Sequence, residues 1–284
     1  MVAHAGRDRD HHARRPETST TDPRLAAATE RQSQRVQLRL ATKRTWAASD
    51  VSAAALASQR LGTVFAVIGA VVFDVGETLV DETREYGTWA DWLGVPRHTF
   101  TAMFGAVIAS GLDYRETFQV FRPGFDLDRE RQARADAGQP EWFGEGDLYP
   151  DVRPALTALR EMGIWVGVVG NQTVRAGKLL RELDLPADFI ATSDDWGVQK
   201  PDLEFFDRVV EAAERPATDI IYVGDRIDND IIPAKKAGMK TAYIQRGPWG
   251  WIHRDKREVD EFADWRILAL TDLSDIVSTV NRAN

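Results

Sequence analysis

The chain predicts an α/β fold: a parallel sheet covered by helices on both faces, with an all-helical segment inserted after the first strand. Three observations predict it. From Val67 onwards, short continuous apolar runs alternate with stretches of helical periodicity. Two of those runs lead into an aspartate, Asp74 directly and Asp225 one glycine later. Between residues 82 and 146 there are helix-like pieces and no convincing strand.

Residues 1–66 read differently from the rest. They hold 11 Lys and Arg against 6 Asp and Glu, whereas residues 67–284 hold 25 against 38. From Met1 to about Pro23 there is no apolar period, which predicts disorder. Residues 24–44 read as a basic amphipathic helix and Ala53–Leu61 as a second short one. Acids at Asp8, Asp10, Glu17, Asp22 and Glu30 argue against a mitochondrial presequence, and no apolar segment suits secretion. The expectation for 1–66 is a basic, mostly disordered extension.

Val67–Asp74 (VIGAVVFD) is a continuous apolar run that suits a buried parallel strand. Residues 82–146 follow, with helical pieces at Arg84–Leu93, His98–Ser110, Arg115–Phe121 and Leu127–Ala137. Eleven of the chain's 26 aromatics fall in this stretch, spaced as a helical interior requires and placed like a lid over the sheet. Strands then recur at Ile164–Val169, Phe189–Thr192, Ile220–Val223 and Thr241–Ile244. Helices at Asp151–Met162, Thr173–Leu183, Asp202–Ala213 and Asp228–Ala237 separate them, with Gly163 and Gly238 at helix stops. Gly247–Trp251 reads as an aromatic loop and Thr271–Val280 as a terminal helix. The organisation is a Rossmann-like core over 67–81 and 147–284, with a helical cap over 82–146.

Composition excludes several functions. With no cysteine there are no disulfides, thiolate metal sites or cysteine nucleophiles, as suits a cytoplasmic protein. No run of about eighteen apolar residues exists to span a membrane. The acidic balance of 67–284 argues against nucleic acid as a principal partner. The histidines lack metal-ligand spacing. Gly170–Leu179 fails the Walker pattern, having six residues between its glycines and Leu179 after Lys178.

The informative strings are Phe73-Asp74-Val75-Gly76-Glu77-Thr78-Leu79-Val80-Asp81 and Tyr222-Val223-Gly224-Asp225-Arg226-Ile227-Asp228-Asn229-Asp230. Each puts an acid at the carboxyl end of a buried strand, where α/β sheets do chemistry. Two such carboxylates can share Mg²⁺, which prefers hard oxygens. Between them, Lys200-Pro201 places a lysine before a proline that would begin a helix, within reach of the acids.

In this order and context, these strings resemble the haloacid dehalogenase (HAD) superfamily over residues 67–284. The resemblance implies Asp74 as a nucleophile forming an aspartyl phosphate, with Mg²⁺ held by Asp74, Asp225 and the Gly76 carbonyl. It also implies that Lys200 neutralises the nucleophile and that Asp230 orients Lys200 or a metal-bound water. Two positions depart from the family pattern. Gly76 stands where phosphatases carry a general-acid aspartate, and Glu77, Asp81 and His98 are candidate substitutes that the motif itself does not place. Gly170 stands where a Ser or Thr would hold phosphate, leaving backbone N–H groups and the Asn171 amide to do so.

The reading is a hydrolase, an Mg²⁺-dependent phosphatase for a small phosphorylated molecule, suited to good leaving groups such as acyl or aryl phosphates. A halide-displacing hydrolase and an impaired HAD-fold binding protein stay open beside it. A phosphonate-cleaving relative would need a cap lysine, and 82–146 contain none. Arg97, Arg115 and Arg122 are candidates for a second acidic group. The protein is expected to be a monomer or homodimer.

Overall fold

The computed structural model describes residues 67–283; the expectations for disorder and two helices before Val67 fall outside the described residues. Six strands form one parallel sheet in the order β3-β2-β1-β4-β5-β6. They are β1 (Ala70–Phe73), β2 (Trp165–Gly170), β3 (Phe189–Thr192), β4 (Ile220–Gly224), β5 (Lys240–Ile244) and β6 (Trp265–Ile267). The four residues of β1 are wholly buried, because the strand lies at the centre and is covered on both faces.

Strand alternation divides the core in two. Val71 and Phe73 of β1 join Val166, Val168, Ile221 and Val223 on one face. That face is packed by α5 (Val152–Glu161) and α12 (Asp272–Arg282) through Leu156, Leu159, Leu273 and Val277. Ala70 and Val72 face the opposite way, with Val169, Ile220 and Tyr222, against Phe205, Phe206 and Val209 of α8 (Leu203–Ala213). The other core helices are α6 (Val174–Glu182), the single turn α7 (Ser193–Trp196), α9 (Ile232–Lys236), α10 (Gly247–His253) and α11 (Arg257–Phe262).

Four α-helices fall within residues 82–146: α1 (Thr83–Leu93), α2 (Arg97–Ala109), α3 (Glu116–Phe121) and α4 (Leu127–Asp136). They share an aromatic core of Trp89, Phe100, Phe104, Phe118 and Phe125, and Trp249 of α10 belongs to the same cluster. Trp249 meets Phe104 and Tyr114 edge-on, at centroid distances of 5.2 and 6.1 Å.

Four local expectations are corrected. Gly247–Trp251 is not a loop but the start of α10. Pro248 is tolerated in its first turn, and Gly250 lets the helix approach the Ile244 carbonyl, 3.0 Å from where a Cβ would sit. β6 was not anticipated: three residues at a sheet edge carry too little alternation to show. The helix expected at Asp228–Ala237 opens with a π-helical turn, Ile227–Ile231, before α9. Pro201 does not begin a helix; α8 starts at Leu203, with Asp202 as its N-cap residue.

Candidate active site

The strand order reverses at β1, whose neighbours β2 and β4 carry the chain to opposite edges, so the crevice beyond its carboxyl end is open to ligands. Asp74 leaves β1 into that crevice, its N–H donating to the Val223 carbonyl at 2.9 Å. Asp225 follows Gly224 at the end of β4. The π-helical turn then folds Asp230 back under the strand end, where its Oδ2 accepts the Arg226 N–H at 3.0 Å. Gly224 is required here, since a Cβ would fall on the Asp230 carboxylate.

Lys200 comes in from the loop before α8. Its Nζ lies 2.7 Å from Asp74 Oδ1 and 2.6 Å from Asp230 Oδ1, and its side chain is fully buried. Burial opposes the lysine's charge, but the Asp230 and Asp74 carboxylates outweigh it and hold the ammonium well above its ordinary pKa. Burial pushes Asp230 up to about 6 against the pull of Lys200. Asp225 is raised well above the carboxylate range by burial first, then by the charges of Asp230, Asp74 and Glu77.

Three carboxylates therefore gather around one ammonium, a surplus of negative charge in a buried place. Oxygens of Asp74, Asp225 and Asp230 lie within 4.8 Å of one another. Asp225 Oδ2 is buried with no hydrogen-bond partner, an arrangement costly unless something positive occupies the gap. The donor set is all hard oxygen. It fits a divalent cation of the magnesium kind.

The two departures from the family pattern acquire physical causes. A Cβ at Gly170 would stand 2.5 Å from Asp74 Oδ1, so a Ser or Thr there is incompatible with this carboxylate position. The Asn171 amide is committed at both ends to the Lys200 backbone: Nδ2 donates to its carbonyl at 2.9 Å, and Oδ1 accepts its N–H at 2.8 Å. The amide that sequence reasoning offered to phosphate thus holds the lysine loop in place.

At Gly76, a Cβ would lie 2.5 Å from Oε1 and 2.9 Å from Cδ of Glu82. Glu82 is the residue that caps the start of α1. Sequence reasoning named Glu77, Asp81 and His98 here and missed it. Glu77 adopts the left-handed backbone (φ 54°), and its Oε2 accepts the Tyr149 hydroxyl at 2.6 Å. Burial pushes its carboxyl up to about 7. Asp81 Oδ1 accepts the Thr83 N–H at 2.8 Å, and His98 is exposed on α2. Burial, then the charges of Glu77, Asp74, Glu85 and Glu141, raise Glu82 well above the carboxylate range.

Asp74, Gly76, Glu77, Glu82, Asn171, Lys200 and Asp225 line one cleft of about 820 Å³, with Arg131 and Tyr86 from the helical insertion and Arg226 and Trp249 from the sheet side. Arg226 lies 4.6 Å over the Trp249 ring and pairs with Asp228 at 2.7 Å. Of the three arginines singled out in the sequence, only Arg115 reaches the cleft lining. Arg97 pairs with Asp91, and Arg122 with Glu130. Periodicity could not have marked Arg131 or Glu82, which sit among many charged neighbours.

The family model for haloacid dehalogenase-like hydrolases matches residues 68–238. The chain belongs to that family. Within it, glyceraldehyde 3-phosphate phosphatase of Methanopyrus kandleri is 37% identical over 238 residues, 74% of this chain and 97% of that protein. The protein of the same name from Methanocaldococcus jannaschii is 35% identical over 137 residues, 47% of this chain and only 58% of that protein. Ribulose-1,5-bisphosphate 5-phosphatase of Halopiger xanaduensis is 28% identical over 162 residues, 55% of this chain and 66% of that protein. Among solved structures, the HAD-hydrolase YfnB of Bacillus subtilis superposes with a TM-score of 0.56 at 20% identity, over 74% of this chain and 99% of that one. That likeness is one of fold. Among the described residues, no helix is long and apolar enough to cross a membrane.

Proposed function

We propose that this HAD-like hydrolase is an Mg²⁺-dependent phosphatase that acts on a small phosphorylated metabolite through an aspartyl phosphate at Asp74. The observation that carries the reading is Lys200 bridging Asp74 and Asp230 beside the unpaired, buried Asp225 oxygen. Asp74, Asp225 and the Gly76 carbonyl would hold the metal, which when bound would neutralise phosphoryl oxygens and the crowded carboxylates. Lys200 holds one Asp74 oxygen in place through the 2.7 Å ion pair. The other oxygen is left to attack phosphorus in line with the leaving group. Asp230 holds Lys200 at the required height, and the Asn171 amide fixes the backbone from which the lysine extends.

The cleft volume suits a small substrate, and α1–α4 would act as the cap that excludes water from it. The phosphatase names carried by relatives from four archaeal species support the reaction class and make a three-carbon sugar phosphate the first natural substrate to try. Halide displacement uses a carboxylate nucleophile but gives the unpaired Asp225 oxygen nothing to do. A soluble, cytoplasmic monomer or homodimer with no nucleic-acid or membrane partner completes the proposal.

The test is phosphate release from acetyl phosphate, p-nitrophenyl phosphate and glyceraldehyde 3-phosphate, with Mg²⁺ and with EDTA. Wild type should turn over at least the first two with Mg²⁺ only, and Asp74→Asn should lose that turnover while unfolding at a similar temperature. Activity surviving in Asp74→Asn removes Asp74 from the chemistry.

A further inference from the structure

We infer that Glu82 is the general acid and base of this enzyme, supplying from the first residue of the helical insertion the carboxyl that residue 76 lacks. The inference rests on the phosphatase reading and deepens it, because an enzyme with such an acid is not confined to good leaving groups. Its substrate class widens to alkyl phosphate monoesters.

The geometry comes from the space in front of Gly76. A side chain at 76 would enter the cleft between Asp74 and the insertion, and the Glu82 carboxyl already fills that space. Its Oε1, Cδ and Oε2 stand 2.5, 2.9 and 3.4 Å from the position of a Cβ on Gly76. The carboxyl carbon of an aspartate at 76 would extend only one further bond, about 1.5 Å, beyond that Cβ. The two carboxyls would therefore compete for one place, and the chain has only the one from residue 82. Gly76 and Glu82 make sense together: the absence of a side chain at 76 is what lets the longer glutamate reach in.

The surroundings favour the same role. Asp74, Gly76, Glu82, Lys200 and Asp225 line a single cleft. Among the described residues, no hydrogen bond or ion pair ties up the Glu82 carboxyl, whereas the rival acids are engaged. Glu77 holds the Tyr149 hydroxyl, and Asp81 holds the Thr83 N–H. Glu85 pairs with Arg134 at 3.2 Å, and Glu141 accepts the Thr173 hydroxyl at 2.5 Å. Apart from Asp225, which the phosphatase reading gives to the metal, Glu82 is the free carboxyl at the reacting end of the cleft among the described residues.

In the first half-reaction an Asp74 oxygen bonds to phosphorus as the ester P–O bond breaks. The proton of the Glu82 carboxyl passes to the leaving oxygen, which departs as the alcohol. In the second, Glu82, now a carboxylate, takes a proton from water as that water's oxygen attacks phosphorus. The Asp74–phosphorus bond breaks, releasing phosphate and restoring both carboxyls to their starting forms.

The dependence on leaving group tests this, since a structural role would not move it. Wild type and Glu82→Gln are compared on acetyl phosphate, p-nitrophenyl phosphate and glycerol 3-phosphate with saturating Mg²⁺, beside Asp74→Asn. Glu82→Gln is expected to lower kcat on glycerol 3-phosphate by about 10²–10⁴-fold while changing acetyl phosphate turnover less than tenfold. Gly76→Asp combined with Glu82→Gly, which moves the carboxyl to the other backbone position, is expected to recover part of the alkyl phosphate activity. Equal losses on all three substrates, no loss on glycerol 3-phosphate, or a wild type confined to acyl and aryl phosphates would each overturn the role of Glu82 and leave the phosphatase reading standing. Wild-type silence on all three would overturn both.

Discussion

Asp225, a proposed metal ligand, shows how such a residue strains the protein that carries it. Its carboxylate is buried among like charges with one oxygen unpaired, so the metal-free fold bears a cost that a cation relieves. Asp225→Asn removes the charge and keeps the shape. The variant should be more stable than wild type in EDTA by about 1–3 kcal/mol, the cost of an unsatisfied buried group. It should also lose the stabilisation expected of Mg²⁺ in wild type, which linkage puts at about 2.7 kcal/mol at a hundredfold excess over Kd. Thermal unfolding with and without Mg²⁺ measures both effects. An undiminished Mg²⁺ response in Asp225→Asn would mean that the cation binds elsewhere.

The element with the largest gap between expectation and structure is α10. The string Gly247-Pro248-Trp249-Gly250-Trp251 has the composition of a turn, yet it forms a helix because the Tyr243 hydroxyl holds the Gly250 carbonyl at 2.7 Å and Trp249 is buried. The helix ends at His253, which is buried with Nδ1 unpartnered. Burial, then Lys256 and Arg226, lowers its pKa below 6.5, with Asp228 and Glu258 opposing. The sign follows from linkage. The unfolded chain takes up a proton near pH 6.5 that the folded chain refuses, so stability is fully present above that pH and is lost as pH falls through the folded pKa. His253→Gln should flatten this acid-side loss in urea melts from pH 7 to 5. Parallel curves for variant and wild type would show that His253 does not titrate against the fold.

At the scale of the described fold, the proposed catalytic groups on the sheet side and the cleft's far wall on the insertion meet at one cleft, so packing between the two parts shapes the site. Trp249 is a buried aromatic that crosses from one to the other, joining Phe104 and Tyr114 on one side and Arg226 on the other. Trp249→Ala should cost about 3–5 kcal/mol in urea unfolding, as a large buried aromatic does. It should also raise KM more than it lowers kcat, because it loosens the cleft wall and leaves Asp74 and Lys200 alone. A loss below about 1 kcal/mol would show that the insertion does not depend on this contact.

The amino-acid sequence by itself determined the parallel α/β core, the helical segment after β1 and the placement of Asp74 and Asp225 at the sheet's carboxyl edge, while Lys200 and Asp230 entered through the family resemblance. The first three follow from local rules: apolar runs bury as strands, helices cross between them, and an acid that ends a strand must face the edge. Tertiary structure alone decided what stands around those residues. Asn171 turns its amide to a backbone 29 residues away, and Gly170 is empty because Asp74 lies against it. Glu82 fills the place of the side chain that Gly76 lacks. Contacts of this kind depend on how elements pack across space, and no periodicity or spacing along the chain records them.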